Sequence, residues 1–228
     1  MVSELGKLLT RKIAQLKFPD VLRIEPVSTV FGLDRGTPID RYYIEKFLEA
    51  NAGCISGRVL EVGSSHYSKR FGSAGITCEV LNASEDNPDK TVAGDLTDCA
   101  TLPESSMDCF ICTQTLNFIY DVGSAVAGAH HVLKPGGVLL ATVAGISQIS
   151  RYDMDRWGDY WRFTTASLQK LFEPVFPGAV EIGTHGNALA ACAFLQGLAV
   201  EDLPDPGLLD RTDIDYQLLL TVTARKKL

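Results

Sequence analysis

Arg58-Val59-Leu60-Glu61-Val62-Gly63-Ser64-Ser65-His66-Tyr67 is the stretch from which the rest of the chain can be read. A short apolar run that closes on an acid, followed by glycine and small polar residues, predicts a strand leaving its sheet by a tight turn. A strand covered on both faces, as in a parallel sheet, is a near-continuous run of Val and Leu rather than an alternation. The turn needs a residue that tolerates unusual dihedrals and the close approach of a ligand, and Gly63 supplies one. Many α/β proteins have such a glycine, so the turn alone assigns no function.

The later signals come in a fixed order: Gly94-Asp95-Leu96, the strand-like run DCFICT at 108–113, LKPGG at 133–137, which ends a helix and turns the chain into the next strand, and VLLATVAG at 138–145. With Glu61 and Gly63 at the head, this succession resembles the S-adenosylmethionine-dependent methyltransferases of the Rossmann-like class, from their first strand to their fifth. Ser65 departs from the pattern, standing where the family has a second glycine. The resemblance implies a three-layer α/β sandwich around a mostly parallel seven-stranded sheet with an antiparallel last strand. It implies S-adenosyl-L-methionine as cofactor and S-adenosyl-L-homocysteine as product. Residues 1–228 are read as one domain: a helical cap over 1–52, a cofactor-binding half over 57–145 and a substrate-side half over 146–228.

Carried over residue by residue, the resemblance places Glu61, Gly63, Ser64 and Ser65 at the first turn. Asp95 would accept from the adenine amino group, with the Leu96 amide facing the ring, and Thr113 would lie near the methionine part. At the end of the second strand, ITCEVL at 76–81, an acid would take both ribose hydroxyls, because a carboxylate can accept two hydrogen bonds at once. Glu85 or Ser84 stands at that place. Thr37-Pro38-Ile39-Asp40 reads as a helix start, with Thr as cap, Pro in the first turn and an acid near the positive end of the dipole. The helix runs to about Asn51 with Ile39, Tyr43 and Phe47 on one face, and Tyr43 is read as reaching the cofactor.

Composition narrows the partners. The 228 residues carry a net charge of −7, with 46% hydrophobic and 21% charged residues, as in an ordinary soluble globular chain. An acidic balance argues against nucleic acid as substrate. No apolar run approaches the roughly 18–20 residues of a membrane span. Residues 3–17 read as an amphipathic helix that could cover the sheet, the cofactor cleft or a second subunit, so a homodimer is allowed. Without the apolar core of a leader peptide in that segment, a cytoplasmic protein is expected. Cys109 and Cys112 form a CxxC, but residues three apart in a strand point to opposite faces and no second pair completes a tetrahedral site, so no metal is expected.

From 146 to 165 the composition shifts to aromatics, Arg and Asp in SQISRYDMDRWGDYWRFTT, and loops after a strand's carboxyl end are where α/β folds place ligands. The DYWRFT segment, together with RGTPIDRYYIEKFL at 35–48, resembles methyltransferases associated with glycan and polysaccharide biosynthesis. Tyr152, Asp153, Arg156, Tyr160 and Arg162 are the candidate acceptor contacts, since aromatic faces stack on sugar C–H surfaces while Asp and Arg bond hydroxyls. Trp161 and Phe163 read equally well as anchors of the crossover in the core. Methyl transfer to a hydroxyl wants a base. His185, at the end of a predicted strand over 179–185, is the first candidate and Asp155 the second. A peptide or natural-product carboxylate or amine, held by Arg156 and Arg162, is the alternative acceptor, and a silent cofactor-binding module the alternative role.

Overall fold

A computed structural model describes residues 24–83 and 87–228, so the expected helix over 3–17 and the ribose candidates Ser84 and Glu85 lie outside the described residues. In chain order the elements are α1 (Ile39–Ala50), β1 (Arg58–Val62), α2 (His66–Phe71), β2 (Thr77–Asn82), β3 (Val92–Ala93), β4 (Met107–Thr113), α3 (Val122–Val132), β5 (Leu133–Ala144), α4 (Arg151–Met154), α5 (Thr165–Phe172), β6 (Val180–His185), α6 (Ala188–Leu195) and β7 (Leu219–Arg225). They build one sheet in the order β3-β2-β1-β4-β5-β7-β6, in which only β7 runs antiparallel to its neighbours. This is the Rossmann-like sheet that the resemblance implied.

The period of two along each strand divides the core between the two faces. Cys109 and Ile111 of β4 pack with Tyr43, Ile44 and Leu48 of α1 and Phe194 of α6. Phe110 and Cys112 pack with Val126 of α3 and Leu168 and Phe172 of α5. The two thiols of the CxxC thus belong to different layers. Burial pushes each of them up to about 12, which leaves them protonated at neutral pH.

Two local readings need correction. Thr37 does not cap α1: its amide and hydroxyl both donate to the Glu201 carboxylate, at 2.8 Å each, and the cap residue is Pro38 with no side-chain bond. Nor does LKPGG separate the third helix from the fifth strand. β5 begins directly at Leu133, paired with Met107, and the ladder resumes at Cys109 with Val138 after a register shift. Lys134-Pro135-Gly136-Gly137 forms the irregular part, with Gly136 at φ +82° and Lys134 Nζ donating to both oxygens of Asp108 at 2.8 Å.

Candidate functional site

The order of strands reverses between β1 and β4, and in such sheets ligands bind outside the carboxyl ends at the reversal. Two cavities open there. The first, about 510 Å³, is lined by Val62 and Gly63 after β1, Asn82 and Ala83 after β2, and Gly94, Asp95 and Leu96 after β3. Its outer wall is aromatic, with Phe118, Tyr120, Trp157 and Tyr160. The second, about 280 Å³, is lined by Thr113 and Gln114 at the end of β4, Asp40 and Arg41 of α1, Tyr67, Asn117, and Asp153, Asp159 and Arg162 of the crossover after β5. Phe118 lines both, so the cavities adjoin.

The first turn is organised by Glu61. Only 2% exposed, its carboxylate accepts from the Ser68 amide at 2.7 Å, the Tyr67 amide at 3.1 Å and the Ser64 hydroxyl at 3.4 Å. Those amides are orphan donors of the first turn of α2, whose cap residue Ser65 makes no side-chain cap bond. Glu61 is therefore a cap supplied from the neighbouring strand. Ser65, the departure from the family pattern, has φ −112°, an ordinary value that needs no glycine. Gly63 does need its freedom: φ is +77°, and a Cβ built there would meet only open space at the cavity. Ser64 and Ser65 stay in the turn and line neither cavity.

Asp95 and Leu96 both line the first cavity. Asp95 Oδ1 accepts from the Thr97 amide at 2.8 Å and its hydroxyl at 2.9 Å, while the Asp95 amide is held by Thr101 at 2.9 Å, which fixes the loop after β3. Gln114, just past β4, has φ +47°, rare for a side chain with a Cβ, and its amide donates to the Thr142 carbonyl at 2.8 Å. The turn so formed aims the chain from β4 into the second cavity.

In the crossover the structure separates residues that the composition grouped. Asp153 and Arg162 line the second cavity, whereas Tyr160 stands with Trp157 on the first, its hydroxyl donating to the Trp157 carbonyl at 3.0 Å. Tyr152, Arg156 and Asp155 line neither: Arg156 lies 3.4 Å over the Tyr152 ring, and Asp155 pairs with Arg151 at 3.3 Å on the surface. Trp161 Nε1 donates to the Ile119 and Tyr120 carbonyls at 3.1 and 3.2 Å, and Phe163 is 5% exposed, so these two anchor the segment. Arg162 is fully engaged. It grips Asp159 through Nη1 at 2.5 Å and Nη2 at 2.9 Å and donates to the carbonyls of Ser147, Gln148 and Trp161. Burial pushes the Asp159 carboxyl up, but the Arg162 bonds, the Ser150 amide and the Arg162 charge outweigh it and hold it below the usual carboxylate range.

Neither His185 nor Tyr43 reaches these cavities. The two rings stack at 5.5 Å beside a third cavity of about 310 Å³ that shares no lining residue with the others. Tyr43 donates to the Leu209 carbonyl at 2.9 Å, burial raises its pKa, and burial lowers that of His185. Two polar residues in the second cavity stand out instead. Asn117 is 3% exposed with no partner for its Oδ1, and Asp40, half-buried, accepts from backbone amides and no side chain, with the amide of its neighbour Arg41 at 2.8 Å. A helix-opening pattern had suggested only a dipole role for Asp40. Among the described residues no group of three His, Cys, Asp or Glu comes together as a ligand set for a metal ion, and no helix is long and apolar enough to cross a membrane.

A comparison with protein families matches residues 50–141 to a methyltransferase domain. Among solved structures, the chain is similar to the S-adenosylmethionine-dependent methyltransferase from Mesorhizobium loti, with 18% identity and a TM-score of 0.55 over 85% of this chain and 100% of that one. It is similar also to a methyltransferase of the same kind from Archaeoglobus fulgidus, with 13% identity and a TM-score of 0.53 over 82% and 94%. A third is the 1,6-didemethyltoxoflavin-N1-methyltransferase of Burkholderia thailandensis, solved with bound 1,6-didemethyltoxoflavin and S-adenosylhomocysteine, with 16% identity and a TM-score of 0.51 over 81% and 77%. Nothing among curated proteins matches the chain by sequence.

Proposed function

We propose, on the premise that residues 50–141 form an S-adenosylmethionine-dependent methyltransferase domain on a class I, Rossmann-like fold, that the chain O-methylates a hydroxyl of a sugar or glycan-like small molecule. When bound, the cofactor supplies an activated methyl group on a sulfonium. The observation that carries the proposal is the adjoining pair of cavities at the carboxyl ends of the strands, one shaped by the three strand-end loops and the other by polar side chains.

The donor set of the first cavity fits a nucleoside: open space above Gly63, a carboxylate at Asp95, and an apolar floor at Leu96 beside aromatic walls. Tyr120, Trp157 and Tyr160 would cover the adenosine, a role for the crossover aromatics distinct from stacking on the acceptor. We assign Arg41, at the second cavity, to the cofactor's carboxylate, and Thr113 and Gln114 to its methionine end. The acceptor then occupies the rest of the second cavity, where Asp40, Asp153 and the Asn117 carbonyl oxygen all accept hydrogen bonds. Such a lining suits hydroxyl donors.

Of the guanidinium groups an anionic acceptor could use, Arg156 lies outside both cavities, Arg162 is spent on Asp159 and carbonyls, and Arg41 is assigned above to the cofactor. Alignment of acceptor and methyl in a closed site can contribute up to roughly 7–11 kcal/mol in favourable systems. Incubation with methyl-labelled S-adenosylmethionine and a panel of glycosides, amino sugars and carboxyl-bearing peptides, read by mass spectrometry, tests the reading. A mass gain of one methyl on glycoside hydroxyls is expected, and methylation confined to carboxylates or amines would overturn it.

A further inference from the structure

We propose that Asp40 is the general base of the reaction, its carboxylate facing the methyl-bearing end of the cofactor from the first turn of α1. The inference rests on the proposed methyltransferase reading and adds a residue to it. Three carboxylates line the second cavity, and two are committed. Asp159 is held by Arg162 and the Ser150 amide, and Asp153 accepts from the Ser150 hydroxyl at 2.5 Å. Asp40 alone of the three has no side-chain donor, its partners being backbone amides, that of Arg41 at 2.8 Å and its own. In the same cavity Asn117, itself 97% removed from solvent, leaves its Oδ1 unpartnered. Two acceptors without side-chain partners in one cavity call for a ligand that donates hydrogen bonds.

Burial pushes the Asp40 carboxyl up to about 6, with the Arg41 amide and guanidinium working the other way. A base poised near the working pH is deprotonated at neutrality yet strong enough to take a proton as the new bond forms. The charged and titratable groups that share its cavity are Arg41, Tyr67, Asp153, Asp159 and Arg162. In the step, the acceptor oxygen bonds to the methyl carbon and the carbon–sulfur bond breaks with its electron pair going to sulfur. The hydroxyl proton passes to a carboxylate oxygen of Asp40.

A test that needs no acceptor uses the one charge that differs between donor and product, the sulfonium. Calorimetric titrations with S-adenosylmethionine and with S-adenosylhomocysteine are compared at pH 5 and pH 7.5, in the wild type and in Asp40→Asn, which keeps an oxygen for the Arg41 amide. The expected wild-type preference for the sulfonium form drops severalfold, on the order of tenfold, at pH 5 as Asp40 protonates. In Asp40→Asn the preference is lost at both pH values while S-adenosylhomocysteine affinity stays within about twofold. Equal weakening of both ligands would make Asp40 a partner of the cofactor's ammonium and overturn the proposal, as would a preference unmoved by pH and substitution. If the wild type binds neither ligand, the methyltransferase reading itself fails. On any acceptor that is methylated, Asp40→Asn should cost ~10²–10⁴-fold in kcat.

Discussion

Replacing Glu61 by alanine tests whether the first turn is built as its geometry indicates. The carboxylate is 2% exposed and serves two amides of α2, at 2.7 and 3.1 Å, with the Ser64 hydroxyl at 3.4 Å too long to count for much. A hydrogen bond to a charged group contributes about 1.5–3 kcal/mol, and a buried donor left alone costs about 1–3 kcal/mol. Two such bonds, allowing for non-additivity, set the loss at about 3–5 kcal/mol. For a chain of this size that lowers Tm by roughly 6–20 °C. Stabilities of 5–15 kcal/mol are typical, so the variant should still fold. Because Gly63 lies two residues on from Glu61, a frayed turn also reduces the population competent to bind, and a tenth of the population means about tenfold weaker S-adenosylhomocysteine binding. Scanning calorimetry with and without that ligand measures both quantities. Adding Ser65→Asp, which places a negative charge at the cap position beside the positive end of α2, should recover about 0.3–1 kcal/mol. A Glu61→Ala protein that melts within about 2 °C of wild type with unchanged affinity would refute the cap assignment.

Three further outcomes are expected. Arg162→Met leaves the Asp159 side chain, 1% exposed, buried without its ion-pair partner and should cost about 3–5 kcal/mol in urea unfolding, with the Asp159→Asn double variant recovering much of it. The Asp159 carboxyl sits below its ordinary range in the folded chain, so its contribution is complete above the unfolded-chain value near 4 and drains away as pH falls through the lower folded value. Asp159→Asn should accordingly flatten the acid limb of a stability–pH curve. Tyr160→Ala removes an aromatic wall of the first cavity and should weaken S-adenosylhomocysteine binding by about 2–12-fold, from about 0.5–1.5 kcal/mol of ring contact; a change confined to acceptor KM would place Tyr160 with the acceptor instead. Alkylation at pH 8 should label the exposed Cys192 in the native protein and reach Cys109 and Cys112 only after unfolding, since burial keeps both as thiols.

The strands and the first cavity were legible because their signals are local. Gly63, Asp95 and Leu96 each lie at or just beyond the end of a strand, where a run of apolar residues stops, so their place at the carboxyl edge follows from the chain alone. Asp40 carries no such mark. Its sequence context, Thr-Pro-Ile-Asp, explains it fully as a helix opening, and only the packing of α1 across the sheet brings it to the second cavity. His185 is the converse case: a histidine at a strand end looks available, but β6 lies at the far edge of the sheet, two strands beyond β5, and its side chain stacks on Tyr43. Strand order decides which ends are near the crevice, and order is a non-local property. The crossover was read as acceptor-binding from composition, which cannot say that Asp153 and Tyr160 point into different cavities or that Arg162 is consumed by an aspartate three residues away.

That division has a consequence for how the two halves of the site are held. The first cavity draws on loops that follow consecutive strands, each fixed by bonds within its own turn, as at Glu61 and Asp95. The second draws on α1, the end of β4 and the crossover, and the last two are tied to one another: Tyr160 and Trp161 amides donate to the Asn117 carbonyl, while within the crossover Ser150 is held by Asp159. Asn117 thereby couples the two halves, since its backbone anchors the aromatic wall of the first cavity while its side chain lines the second.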